Sequence, residues 1–446
     1  MSSIASTISR YFELEKFGTT IRTEIIAGIS TYLSLAYIFI VNPAILSQAG
    51  IEPQSALFAT AVAASLATLA MGLWANLPFA VAPGLTMNSY FVFVVCQKMG
   101  FSWQQGLATV FISGVLCVIL TALPLRQAII DSLPLGLKRA ITVTIGVFVA
   151  TIGLFLAKIV TFTSSGMINF AELDSSHLTS PLVAVLLAGL FISLVLGLRR
   201  LHFPAGMLIA IIASAMLYHQ LIPPTAASTT DGGHIFSSVG QLDFSIFFQA
   251  HFWLPVIVFF VLDFFEGIGG FIGMTTNTTI QDKDGNVPHI KQGLWVDGLG
   301  TVGGSVLGTS SLIIFVESAV GIKAGGRTGL TAVTCSVLMV LGVLASFYFM
   351  PVLALIPAQA AAGVLVYVGY LILSSSVASR KESGLSSFDM AVALVMGLIA
   401  FATFSLDKSL AFGFLAYFAQ SVIARKPAWW LAAIAGALTT AIVCSA

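Results

Sequence analysis

NLPFAVAPGLTMNSYFVF (residues 76–93) is an apolar segment whose helix must be interrupted near its centre. Pro83 lacks a backbone N–H donor and Gly84 is conformationally free, so a continuous helix is not expected there. A second segment, GGSVLGTSSLIIFVESAVGI (303–322), runs from Ser, Thr and β-branched residues, which favour extended backbone, into Glu317. At membrane depth, irregular backbone survives only where protein buries it or a cavity hydrates it. The two segments therefore predict short strands at a buried site in a membrane protein.

The composition of the whole chain supports a membrane environment. Hydrophobic residues make up 58% of the 446 residues and charged residues only 8%, with a mean hydropathy of +1.01. A soluble globular protein carries roughly a quarter charged residues. The net charge of +1 and the lack of a large Lys/Arg cluster argue against nucleic acid as a partner. We therefore expect one all-α polytopic domain with the lipid bilayer as its solvent.

Apolar stretches of about 20 residues, the length that crosses a bilayer, recur along the chain. Residues 1–24 mix charges and predict a cytoplasmic lead-in rather than a signal peptide. With the N-terminus inside, all 19 Lys and Arg residues except Lys98, Lys158 and Lys408 fall on the cytoplasmic side, as the positive-inside rule requires. The fourteen predicted spans are 25–48, 55–76, 81–97, 103–124, 138–158, 180–198, 203–222, 251–275, 292–308, 310–325, 328–349, 359–378, 388–404 and 409–424.

A polar external loop at 223–250 divides these spans into seven plus seven. An odd number of spans in each half places the halves in opposite orientations, which is how inverted-repeat transporters are built. The first repeat is then 25–222 and the second 251–424. The interrupted third and tenth spans occupy equivalent positions, and this predicts a binding site between them at the membrane midplane.

The end of the chain leaves two alternatives open. Asp407 and Lys408 shorten the last two spans, so 388–404 and 409–424 form either full spans or a half-membrane hairpin. The C-terminal apolar segment, 425–446, either crosses the bilayer or lies in the interface.

Carboxylates inside apolar spans are candidate functional groups. An ionisable side chain at the centre of a bilayer costs at least about 2.5–3.5 kcal/mol, so it marks a functional site by default. Asp263 and Glu266 are three residues apart on one helix face, and their mutual repulsion favours proton uptake by one of them. The alternative for Asp263 is a structural hydrogen bond to a neighbouring helix. The four carboxylates of this kind are Asp263, Glu266, Asp297 and Glu317.

Four long stretches resemble the AzgA-like purine permeases, a branch of the nucleobase–ascorbate transporter (nucleobase:cation symporter-2) family. They are FGTTIRTEIIAGISTYLSLAYIFIVNP (17–43), MGLWANLPFAVAPGLTMNSYF (71–91), IQDKDGNVPHIKQGLWVDGLGTVGGSVLGTSS (280–311) and FVESAVGIKAGGRTGLTA (315–332). The resemblance implies fourteen spans in two inverted repeats, with short strands of spans 3 and 10 meeting at the substrate. It also implies a core domain, 25–124 and 251–349, and a gate domain, 125–222 and 350–424.

The resemblance further implies import of adenine, guanine or hypoxanthine with protons, across a bacterial inner membrane and without a cofactor. Asn88, Glu266 and Glu317 match positions that contact the substrate, and Thr86, Tyr90 and Ser318 lie beside them. Asp263, Glu266 and Asp297 match acidic positions connected with proton coupling. Thr86, Glu266 and Gly270 depart from the usual family residues, which are glycine, aspartate and threonine, so the choice among purines does not carry over.

Three other functions are alternatives to purine transport. An anion carrier of the same architecture, of the sulfate or bicarbonate type, predicts a positive or neutral site, whereas the charges within the spans are acidic. A membrane-embedded enzyme would need a metal cluster or an activated nucleophile, and no HExxH or GxSxG pattern occurs in the spans. A channel fits two facing interrupted helices less well than a closed midplane site does. The sequence does not decide between a monomer and a homodimer.

Overall fold

The computed structural model describes most of the chain. The described residues are 2–123, 134–157, 159–162, 168–170, 192, 194–196, 206–221, 235–275, 278–281, 287–353, 358–378, 386–425 and 428–445. Most of the predicted sixth span, 180–198, and the loop residues 223–234 lie outside them.

Helices dominate the described residues, and four short strands interrupt them. The helices are α1 (Ser2–Tyr11), α2 (Ile21–Leu35), α3 (Ile38–Leu46), α4 (Pro53–Leu73), α5 (Leu85–Ser89), α6 (Trp103–Ala122), α7 (Leu135–Leu156), α8 (Gly206–Leu221), α9 (Ala250–Thr275), α10 (Ile290–Leu307), α11 (Ser318–Lys323), α12 (Gly329–Leu353), α13 (Ala358–Ala378), α14 (Ser387–Thr403), α15 (Leu406–Ile423) and α16 (Trp429–Ser445). The strands are β1 (Val81–Pro83), β2 (Val160–Phe162), β3 (Ile168–Phe170) and β4 (Leu312–Ile314). Helix α5 continues as a π-helix over Tyr90–Lys98.

The two short strands expected at the interruptions are present and pair with each other. Strands β1 and β4 are antiparallel, with Ala82 opposite Ile313. Beyond the strands, the N–H of Gly84 donates to the carbonyl of Ser311 at 3.1 Å, and the N–H of Phe315 donates to that of Ala80 at 2.9 Å. The pairing satisfies backbone groups that could not reach water in a bilayer.

Threonine side chains satisfy the outer edges of this two-stranded sheet. The Thr68 hydroxyl, on α4, accepts from the Val81 N–H at 2.9 Å and donates to the Val81 carbonyl at 3.0 Å. The Thr301 hydroxyl, on α10, donates to the Leu312 carbonyl at 3.1 Å. Each strand therefore has polar neighbours on both sides although it is buried.

The helices pack around the sheet in two groups. Helices α2, α4, α6, α9, α10 and α12 pack against one another, and α11 packs on α2. Helix α7 packs against α13, α14 and α15. Among the described residues, the helical segments long and apolar enough to cross a membrane are Ile21–Ala49, Pro53–Leu73, Trp103–Ala122 and Leu135–Leu156. Large apolar side chains such as Leu66, Leu341 and Leu394 are exposed on the helix surfaces, as expected where lipid is the solvent.

The structure adds detail to three of the predicted segments. The first predicted span consists of two helices, α2 and α3, that meet at Ala36–Tyr37. The segments at 388–404 and 409–424 form two separate helices joined at Phe404, whose φ is +49°. The C-terminal segment contains α16, which packs against α15 and α9.

Candidate functional site

The pairing of β1 and β4 brings the predicted site residues together. Glu317 lies between β4 and the short helix α11, and Thr86 and Asn88 lie on α5, directly after β1. Helix α9 carries Glu266 and packs against β4. An added Cβ at Gly270, one turn after Glu266, would lie 3.4 Å from the Ile314 Cβ, so the helix and the strand are in close contact. The two halves of the chain therefore build the site jointly.

Glu317 is a buried carboxylate with one occupied oxygen. Its side chain is 7% exposed, and the Tyr37 hydroxyl donates to Oε1 at 2.6 Å. Its Oε2 is buried and has no hydrogen-bond partner among the residues that the structure describes. A buried polar atom left without a partner is costly. Oε2 is therefore available to accept an N–H group from a ligand.

Glu266 supplies a second buried carboxylate. Both of its oxygens are buried and accept no hydrogen bond of good geometry from the described part of the chain. The Thr86 hydroxyl faces this carboxylate, and Asp297 lies within electrostatic reach of it. Two of the residues that depart from the family pattern, Thr86 and Glu266, are thus neighbours in space.

Asn88 lies in a buried network of amides and hydroxyls. Its amide nitrogen donates to Oδ1 of Asn42, and its amide oxygen accepts from the Ser310 hydroxyl. The Asn42 amide in turn donates to the hydroxyls of Thr60 at 2.7 Å and Thr309 at 3.1 Å. This network joins the segments on either side of the strand pair. The contact of Asn88 with a ligand stays a prediction, because its oxygen and one N–H already have partners inside the protein.

Asp263 and Asp297 are both fully buried. The Ser311 hydroxyl donates to Oδ1 of Asp263 at 3.2 Å, and the hydroxyls of Ser311 and Thr301 are 3.0 Å apart. Asp263 therefore has a structural hydrogen bond, although its partner lies in the stretch before β4 and not on a neighbouring helix. The coupling of either aspartate to protons stays a prediction.

Ser318 and Tyr90 complete the set of predicted site residues. The Ser318 hydroxyl accepts from the Ala80 N–H at 2.9 Å, and this acceptance leaves its own proton available to a ligand. Tyr90 is fully buried, and its ring packs edge-on against Phe259 with the ring centroids 5.1 Å apart. The stacking of a ligand on Tyr90 stays a prediction.

The structure adds residues that the sequence did not single out. Tyr37 binds Glu317 directly, and Asn42 and Ser310 bind Asn88. The sequence could have indicated Asn42, because an amide within an apolar span and before a proline is unusual. It gives no such indication for Tyr37, because tyrosine is common in spans. The described residues contain no cluster of His, Cys, Asp and Glu able to hold a metal ion.

The chain is similar to a family of permeases and to individual permeases. Residues 22–406 match the permease family Xan_ur_permease. The chain is 34% identical over 427 residues to the adenine permease AdeQ of Escherichia coli (strain K12), covering 94% of this chain and 91% of AdeQ. It is 34% identical over 421 residues to the guanine/hypoxanthine permease PbuO of Bacillus subtilis (strain 168), covering 91% of this chain and 93% of PbuO.

A solved structure shares the fold. The transmembrane domain of a cyanobacterium bicarbonate transporter, BicA, superposes with a TM-score of 0.64, covering 88% of this chain and 96% of that domain. The two sequences are 16% identical, so the likeness concerns the fold alone.

Proposed function

Since this chain belongs to the permease family, we propose that it imports purine nucleobases in symport with protons. The observation that carries the proposal is the buried Oε2 of Glu317, which lies beside the paired strands without a partner in the described residues. Relatives named for adenine and for guanine/hypoxanthine, at the same identity, support the purine class and leave the individual base open.

The chemistry of the site suits a purine. A nucleobase presents N–H donors and ring-nitrogen or carbonyl acceptors along its edges. The Glu317 and Glu266 carboxylates accept from the N–H groups, and the Ser318 hydroxyl donates to an acceptor on the base. Carboxylates also disfavour an anionic substrate, since a buried like charge raises the energy of binding. The sulfate or bicarbonate alternative therefore has less support than the purine.

Transport requires the site to face each side of the membrane in turn. In our proposal, the α2–α4–α6–α9–α10–α12 group, which holds the strands, moves as the core domain against the gate domain that contains α7, α13, α14 and α15. Proton uptake by a carboxylate among Asp263, Glu266 and Asp297 accompanies binding. The distribution of Lys and Arg supports an N-terminus in the cytoplasm, and the bacterial permeases among the relatives support a location in a bacterial inner membrane.

The function is tested by uptake in cells that lack their own purine permeases. Cells that express the chain are given labelled adenine, guanine or hypoxanthine in turn, and in separate assays labelled sulfate or bicarbonate, with unlabelled adenine, guanine, xanthine, uracil and sulfate as competitors. We expect saturable uptake that one or more of the purines inhibit and that uracil and sulfate do not. Uptake of sulfate or bicarbonate without any purine uptake would support the anion carrier instead.

Coupling to protons has its own test. An uncoupler that collapses the proton gradient should abolish accumulation while leaving the abundance of the protein in the membrane unchanged. Accumulation that persists in the presence of the uncoupler would refute proton symport, but it would not contradict the recognition of purines.

A further inference from the structure

Tyr37 is the protein's own hydrogen-bonding partner for Glu317. It lies at the junction of α2 and α3, where the first span departs from a continuous helix, and its side chain is 1% exposed. Its hydroxyl donates to Oε1 of Glu317 at 2.6 Å. A hydrogen bond to a carboxylate is short and stronger than one between neutral groups. Tyr37 therefore holds one of the two oxygens of Glu317.

The first span also holds the backbone of this segment. The Ser34 hydroxyl, one turn before Tyr37, donates to the Thr31 carbonyl at 2.8 Å and also lies 3.3 Å from the Glu317 carbonyl, so its one proton is shared between them. An added Cβ at Gly321 would lie 2.7 Å from the Ala27 carbonyl, so α11 is packed against α2 with no room for a side chain. With its main chain and one carboxylate oxygen both held, Glu317 has little freedom to rotate.

We propose that Tyr37 determines specificity, because it holds Oε1 and leaves Oε2 as the oxygen of Glu317 that has no hydrogen bond from the described residues. The inference rests on the proposed function, in which Glu317 receives the base. Since the Tyr37 hydroxyl already holds Oε1, the ligand is received at Oε2, and in our proposal the carboxylate binds one N–H of a purine instead of a bidentate pair. Tyr37 acts through Glu317 and is a positioning residue.

The consequence concerns purines that carry two adjacent donors. Guanine presents N1–H beside its 2-amino group, and a free carboxylate accepts from both in a bidentate pair. Hypoxanthine has the same ring and N1–H without the amino group. In the wild-type site the 2-amino group finds no second unoccupied oxygen on Glu317, so it adds little affinity through this carboxylate. Removal of the Tyr37 hydroxyl frees Oε1 for it.

The test is Tyr37→Phe, measured as inhibition of labelled purine uptake by guanine and by hypoxanthine. We expect weaker binding of hypoxanthine and a shift of about tenfold in the ratio of the two inhibition constants toward guanine, the effect of one added hydrogen bond to a charged group. Tyr32→Phe is the matched control. Tyr32 lies on α2, five residues before Tyr37, and its hydroxyl lies against Gly342 on α12. The control should leave the ratio unchanged.

Several outcomes overturn the assignment. An unchanged ratio in Tyr37→Phe, or an equal loss for both bases, would mean that Tyr37 has only a structural role. If the Tyr37→Phe variant does not reach the membrane, the inhibition constants of the wild-type protein test the proposal. There we expect guanine and hypoxanthine to bind within about threefold of each other, and a preference for guanine above about tenfold contradicts the proposal. Wild-type protein without purine uptake overturns the proposed function, and this assignment with it.

Discussion

The backbone N–H of Ala80 donates to the hydroxyl of Ser318 at 2.9 Å, across 238 residues of sequence. This bond fastens the residue before β1 to the first residue of α11, just after Glu317. Together with the strand pairing it ties the two interrupted spans into one unit. The position of the Glu317 carboxylate therefore depends on contacts from both halves of the chain.

Ser318→Ala should destabilise the protein. It leaves the buried Ala80 N–H without an acceptor, at a cost of about 1–3 kcal/mol, which should lower the temperature of thermal unfolding of the purified protein. Ser89→Ala is a matched control, because the Ser89 hydroxyl is buried and has no partner in the described residues. An equal effect of the two substitutions would show that the Ala80–Ser318 bond contributes nothing.

Asn88→Asp tests whether Asn88 serves structure or ligand. The substitution keeps the shape of the side chain but removes the donor to Asn42, so two oxygens face each other in a fully buried network. We expect a loss of stability of about 1–3 kcal/mol, the cost of an unsatisfied buried group, together with weaker purine uptake. Unchanged thermal unfolding with lost uptake would instead show that Asn88 acts mainly on the ligand.

Lys98 connects the π-helix that follows α5 to the end of α14. Its ammonium group donates to the carbonyls of Thr403 at 2.9 Å and Phe404 at 3.4 Å. Lys98→Met removes both bonds and should open this contact more often. We expect the thiol of nearby Cys96 to react about three- to tenfold faster with a membrane-impermeant maleimide, as expected for a lost charged hydrogen bond at an exposed site.

The control for this prediction is Lys408→Met. Lys408 has the same charge and lies close to the same helix junction, but among the described residues its ammonium makes no hydrogen bond to the π-helix that carries Lys98. Faster labelling of Cys96 in both variants would indicate a general effect of charge, and unchanged labelling in Lys98→Met would show that the contact does not restrain opening.

Gly308 ends α10 in a conformation that favours glycine. Its φ is +102°, and an added Cβ would overlap the Ser238 side chain of the 223–250 loop. Gly308→Ala should therefore cost at least about 1–2 kcal/mol of stability. Gly303→Ala, on the same helix, places its Cβ in open space and should be neutral or stabilise by up to about 1 kcal/mol. Similar unfolding temperatures for the two variants would contradict this account of Gly308.

Local chemistry explains which parts of the site could be predicted from the sequence. Pro83, Gly84 and the Ser/Thr stretch before Leu312 act on their own backbone, so the strands were predictable at these positions. Glu266 and Glu317 were recognisable because a charge inside an apolar span is costly wherever it lies. Both kinds of signal belong to single segments.

Contacts between distant segments could not be predicted in this way. Tyr37 and Glu317 are 280 residues apart, and their hydrogen bond depends on how α11 packs on α2. The partners of Asn88, Asn42 and Ser310, are likewise set by the crossing of three segments. The break at Ala36–Tyr37 also escaped prediction, because neither proline nor glycine marks it.

The central claim is that Glu317 receives a purine during proton-driven transport. The most direct measurement uses purified protein in proteoliposomes with an imposed proton gradient and labelled adenine, guanine or hypoxanthine. Wild-type protein should accumulate at least one of these bases above its outside concentration. Glu317→Gln, which lacks the acceptor charge, should not accumulate it, and its unfolding temperature is measured beside the wild type to verify that it is folded. No accumulation of any purine by the wild type, or equal accumulation by Glu317→Gln, would contradict the claim.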